Sequence, residues 1–174
     1  MKKKDILISI AIITAAALTL WLYLQQKGRV RIDAGNAAAV LRLRSGWLGE
    51  ATIASGVAPA PLRAQVHRPQ HLSISKEQDG HTWQIDSRGP WGRLSRIKVK
   101  NNQTTGLQLG PPFSIKPRVS QSGSLLSIDY AIIGRAGELY QSFVTKDGQA
   151  VTSAKISIVD EAGNVLEVGK FSFG

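Results

Sequence analysis

The sequence predicts an all-β chain, an antiparallel β-sandwich of two packed β subregions, behind a single N-terminal transmembrane helix. Three observations carry that expectation. The run Ile6–Leu24 holds no charge and follows Lys2, Lys3 and Lys4 with Asp5 between. Beyond it, short stretches alternate apolar and polar residues as far as Phe173, and none shows the 3.6-residue periodicity of a helix. Turn residues separate these stretches, and cysteine is absent, so burial alone must hold the fold.

At about 1.5 Å rise per residue, a helix over Ile6–Leu24 nearly matches a hydrocarbon core of about 30 Å. Trp21 and Tyr23 fall near its far end, where amphipathic rings settle at the bilayer interface. The alternative is a cleaved secretory leader, because Ala15-Ala16-Ala17 offers a small-x-small cleavage pattern. Cleavage there leaves Leu18–Leu24 as an apolar mature end, so an uncleaved anchor is the favoured reading. The N-terminal lysines favour a cytoplasmic N-terminus and an extracytoplasmic body, attached to the cell membrane by one pass. The chain divides into an anchor and flank (1–30), a basic β subregion (31–112) and a C-terminal β subregion (113–174).

In the first subregion, Leu41 and Leu43 alternate with Arg42 and Arg44, and Leu72 and Ile74 with Ser73 and Ser75. Trp83 and Ile85 alternate with Gln84 and Asp86, and Asp79-Gly80 between the last two runs predicts a hairpin whose loop holds a residue suited to positive φ. Leu94–Lys100 reads as a strand with Ile97 and Val99 inward and Arg96, Lys98 and Lys100 outward. Ala54–Pro69, rich in Ala, Pro and Gly, reads as a long loop. Pro111-Pro112 interrupts the ladder, because neither residue donates a backbone hydrogen bond, and marks the joint.

Strands are then expected at Phe113–Val119, Leu125–Ile133, Lys155–Val159 and Val165–Phe173, with turns at Lys146-Asp147-Gly148 and Glu161–Asn164. The phase of apolar residues changes within the last strand, which predicts a bulge at Gly169. Trp47, Trp83, Trp91, Phe171 and Phe173 are the natural large contributors to a core. The second subregion is small, so the two are expected to pack on each other.

The formal net charge is +10. From Ser87 to Ile128 there is no acid, against Arg88, Arg93, Arg96, Lys98, Lys100, Lys116 and Arg118. That field attracts anions. The candidate binding residues are Arg88, Trp91, Arg93, Arg96, Lys98 and Lys100. Arg88-Gly89-Pro90-Trp91-Gly92-Arg93 is a turn in which an indole flanked by guanidiniums offers stacking and carboxylate or phosphate recognition. The opposing reading has Trp91 tucked back over the open end of the core, and the outward lysines serving as a solvated face that discourages edge pairing. Both readings stand at this point, with the second the commoner in proteins.

His67 and His71 have the four-residue spacing of a helical zinc pair, but Pro69 lies between them, so they read as a surface pair and no metal site is expected. No nucleophile elbow, zincin, phosphate-binding or dinucleotide signature occurs, and no cofactor is expected. A carboxylate pair such as Asp86 with Asp129 remains the one enzyme-like arrangement worth testing, and would make the chain an envelope hydrolase. The chain is read as a non-enzyme. Few aromatic residues interleave with the basic ones, so specific nucleic-acid binding is not expected.

The stretch Lys155–Phe173 resembles the strand, Asp-x-x-Gly turn, strand units of immunoglobulin-like and transthyretin-like envelope modules. Gly110-Pro111-Pro112-Phe113 and Gly134-Arg135-Ala136-Gly137-Glu138 are similar to segments of bacterial envelope proteins with a leader and a β-sandwich body. The resemblance covers roughly residues 81–174 and implies architecture and export, not an activity. The expected role is binding or scaffolding. The expected partners are the membrane, through Ile6–Leu24, and an envelope protein, an anionic lipid or an acidic glycan.

Overall fold

The computed structural model describes residues 12–21, 25–46, 49–56, 58–123, 125–140 and 144–172. The protein is mostly β, with several largely antiparallel sheets. Residues 12–21 form a helix, α1, whose side chains are all exposed. The rest of the expected anchor, residues 6–11 and 22–24, lies outside the described residues. Among those described, no helix is long and apolar enough to cross a membrane.

The first strand, β1 (Lys27–Asp33), was not expected, and it runs from the anchor flank into the body. Its alternation is nonetheless clean, with Gly28, Val30 and Ile32 buried and Arg29, Arg31 and Asp33 exposed. It is the middle of a three-stranded sheet, antiparallel to β4 (Ala60–Arg63) and parallel to β8 (Thr104–Gln108). The long loop expected over Ala54–Pro69 is therefore corrected. Pro61 sits opposite Arg29 in β4, an edge strand, where a missing N–H is tolerated.

The second sheet has the order β13 (Gln149–Ala150), β12 (Val144–Lys146), β6 (His81–Ser87), β5 (Val66–Gln78), β2 (Ala38–Ser45), β3 (Gly49–Ala54), and β7 (Ile97–Lys98) pairs with the start of β5. The expected hairpin is there: Asp79 and Gly80, with φ of 54° and 74°, join Gln78 to His81. Pro69 enters β5 beside a bulge, because the register passes from Arg42 opposite His71 to Leu43 opposite Pro69. The extra residue, Gln70, rephases the strand so that His67, Pro69, Leu72 and Ile74 are all buried. The expected strand Leu94–Lys100 shrinks to Ile97–Lys98, with a 3₁₀ turn over Gly92–Ser95. Its parity survives: Ile97 and Val99 are buried, while Arg96, Lys98 and Lys100 are exposed.

Buried residues of β1 and β8 and those of β2, β5 and β6 form one apolar cluster. Leu41, Leu43, Leu72 and Leu109 are fully buried in it, each stabilising the fold by about 1.5–3 kcal/mol. The aromatic residues contribute less than expected. Trp83 is 36% exposed and Trp91 packs only partly against the cluster. Trp47 and Phe173 lie outside the described residues, as does the side chain of Phe171.

After the cis Pro111-Pro112 bond, β9 (Ser114–Ser122) and β10 (Leu125–Ile133) form a long antiparallel hairpin, to which β11 (Leu139–Tyr140) adds a short third strand. The chain then returns through β12 to pair with β6, so hydrogen bonding crosses the expected joint. Finally β14 (Ser153–Val159) and β15 (Val165–Ser172) pair only with each other among the described residues. The expected bulge in this hairpin moves from Gly169 to Leu166, since Ile158 faces Glu167 and Val159 faces Val165. The tight Asp160–Asn164 turn absorbs the extra residue next to itself, through hydrogen bonds from the backbone N–H groups of Ala162 and Asn164 to Asp160 Oδ1.

Candidate functional site

The turn Arg88–Arg93 and the glycine-rich segment Gly134–Glu138 are far apart in sequence and hydrogen-bonded to each other in the fold. Arg93 N donates to Ala136 O at 2.8 Å, and Leu139 N to Pro90 O at 2.8 Å. Buried Ser87 donates its hydroxyl to Leu139 O and accepts from Gly89 N at 3.2 Å. Trp91 folds back over Gly89, where an added Cβ would stand 3.0 Å from the indole Nε1. The indole is thus half-buried against the core edge, the arrangement set against a stacking platform in the sequence reading.

A buried carboxylate fastens this region. Glu138 is 0% exposed, and Oε1 accepts from Gly110 N at 2.7 Å and from the Tyr140 hydroxyl at 2.9 Å, while Oε2 accepts from Ala136 N at 2.8 Å. Three donors compensate the desolvation of the charge. Burial and the neighbouring carboxylate push the Tyr140 phenol far above its usual range, so it stays a donor. Phe113 meets the Tyr140 ring edge-on at 5.0 Å. The sequence reading missed Glu138 as a hub. Its only signal was an acid inside a glycine-rich turn, two residues before an aromatic.

Beside this hub opens a groove of about 1180 Å³. Arg31, Asp33 and Gln108 line it from the three-stranded sheet, Ser55 and Pro59 from the β3–β4 connection, and Arg93 from the 3₁₀ turn. Alternation in β1 aims Arg31 outward, and an Arg93 Nη2 hydrogen bond to Arg135 O fixes the second guanidinium at the rim. Asp33 is engaged chiefly elsewhere, Arg31 being the weakest influence on it. The Gly35 N–H, then Arg135, whose Nη2 lies 3.4 Å away, hold its carboxyl below the usual range. With Asp33 already paired to Arg135, the two groove cations Arg31 and Arg93 make no ion pair among the described residues.

Of the six candidate residues, only Arg93 lines this groove. Arg88 is exposed on the adjoining turn, and Arg96, Lys98 and Lys100 form an outward strip with no ion pair among the described residues. Arg31 joins the site although it was not among the candidate residues.

The histidine pair is corrected: His67 is 0% exposed and shares a hydrogen bond of 2.9 Å with Arg63 O, while His71 stands 3.6 Å from Asp86. Period-2 alternation across the bulge, not helical spacing, sets the two apart. Among the described residues no group of three His, Cys, Asp or Glu is placed to hold a metal. Asp86 and Asp129 lie on different sheets, the first beside His71 and the second accepting from Tyr130 N.

The fold and groove define an all-β protein with a cationic surface site. No protein-family model, curated protein or solved structure matches the chain.

Proposed function

We propose that the chain is a membrane-tethered, extracytoplasmic β-sandwich that binds an anionic component of the cell envelope, an acidic glycan strand, in the Arg31–Arg93 groove. One observation carries this reading: two guanidiniums share an open groove with peptide groups and the Gln108 amide, while the acid lining it, Asp33, is already paired. Guanidiniums bind carboxylates through paired N–H donors, and peptide groups and amides bind sugar hydroxyls. Small residues such as Gly35, Ala38, Gly56 and Ala58 let an extended chain lie close to the backbone. The sandwich reading is supported by the single cluster that both sheets bury. The tether is supported by α1, which carries exposed Ile12, Ile13, Leu18 and Leu20.

The test is calorimetric titration of the full chain in mild detergent with polygalacturonate, neutral dextran and anionic lipid vesicles. Polygalacturonate alone should bind, and binding should weaken with salt as the Debye length contracts to about 3 Å at 1 M. Arg31→Gln and Arg93→Gln should each lower affinity about tenfold, the scale of one charged hydrogen bond. Equal binding of dextran, or binding indifferent to both substitutions, rejects the site.

A further inference from the structure

The C-terminal hairpin is a structural anomaly independent of the groove. β14 and β15 pair only with each other among the described residues, and a lone two-stranded hairpin is at best marginally stable in water. Yet Val159, Val165, Leu166 and Val168 are 47–64% exposed. Ser157 opposite Val168 and Val159 opposite Val165 place aliphatic groups on one face at the turn end. Contiguous exposed apolar faces are a common mark of association sites.

The same chain carries a surface of matching chemistry. An apolar groove of about 360 Å³ lies between the β9–β10 hairpin and the β6–β12 strands, lined by Trp83, Phe113, Ile115, Ile132 and Val144. It continues along the hairpin to Val119, because Ile115 faces Ile132 and Val119 faces Ile128 across the ladder. Ile115 and Val119 are 65% and 59% exposed. The rim is basic: Lys76 lines the groove and Lys146 holds its ammonium 5.4 Å from the Trp83 ring centre. The turn of the C-terminal hairpin is acidic, with Asp160 and Glu161 adjacent, while Glu167, opposite Ile158, lies on the other face and Lys155 opposite Lys170 closes the valine face at its far end.

We infer that this protein self-associates, the β14–β15 hairpin of one copy seating its valine face in the Trp83–Ile115 groove of a second copy. Apolar faces meet at the centre, and Glu161 of the hairpin turn meets the Lys76 and Lys146 rim, the core-and-rim anatomy of a specific interface. Tethering copies in one membrane would raise their effective concentration further.

The absence of cysteine permits a clean test. Two preparations of the full chain in mild detergent, one Ile115→Cys and one Val168→Cys with a distinguishing tag, are mixed and treated with a short bis-maleimide. A mixed covalent dimer is expected. Sedimentation should show concentration-dependent dimers that Val168→Asp and Ile115→Asp each weaken more than tenfold. Both positions are exposed, and circular dichroism checks that the β fold is kept. Lys146→Glu should weaken association, and Glu161→Lys in the partner copy should restore it. A chain that stays monomeric, a crosslink within one chain in the doubly substituted protein, or association indifferent to these substitutions overturns the proposal.

Discussion

Glu138 ties Gly110 to its own turn through two oxygen atoms, and removing it strands three buried donors at once. Glu138→Ala should therefore lower stability by about 3–5 kcal/mol in urea unfolding, whereas Tyr140→Phe, which loses one hydroxyl, should cost about 1–2 kcal/mol. Gly134→Ala should be as damaging as losing the carboxylate, because its Cβ would collide with Glu138 Oε1. If Gly134→Ala melts like the parent, the hub geometry is wrong. None of this was legible beforehand. An isolated acid in a turn has the same local signature whether solvated or buried, and only the arrival of the Gly110 and Ala136 N–H groups decides which. Trp91 shows the reverse case, since two glycines and a proline in its turn already permitted the backward tuck that the structure adopts.

Strands were legible wherever alternation was regular and one face was buried. β2, β6 and β10 match their expected stretches, because a period of two leaves little freedom once Leu41, Leu43 and Ile85 must face inward. Proline misled the reading of Ala54–Pro69. An edge position excuses Pro61 and a bulge accommodates Pro69, and both are relations to a neighbouring strand that a single segment does not display. The two kinds of element should respond differently to truncation. In dilute solution Leu43→Ala, at a fully buried site in β2, should cost about 2–5 kcal/mol, while Val165→Ala in the C-terminal hairpin should stay within about 0.5 kcal/mol. Comparable losses at both positions, read from urea midpoints, would mean that the hairpin is packed within its own chain.

At the scale of the molecule, Asp33 and Asp147 tie distant segments together, Asp160 closes the last turn, and all three contribute to the response to acid. Backbone and Arg135 donors lower the pKa of Asp33. The Thr82 N–H, then His81, do so for Asp147, and the Asn164 side chain and backbone for Asp160. A depressed folded pKa means that the unfolded chain takes up protons first. The stabilisation is complete above the ordinary aspartate pKa of about 3.9 and is lost as pH falls through the lower folded values. The urea midpoint should fall between about pH 5 and pH 2, and the Asp33→Asn, Asp147→Asn, Asp160→Asn triple variant should flatten that slope. An unchanged slope would show that these contacts do not persist in solution.

Periodicity, turn residues and the lack of cysteine were enough to determine an all-β chain held by burial, with an excess of positive charge between Ser87 and Ile128. These are local or additive properties, which a linear string records. The tertiary structure decided that β1 belongs to the body, that Arg31 and Arg93 line one groove, that Glu138 is buried and that the last hairpin pairs only with itself among the described residues. Each of those depends on which distant strand a backbone edge selects, and strand pairing is fixed by the burial of whole faces rather than by any residue alone.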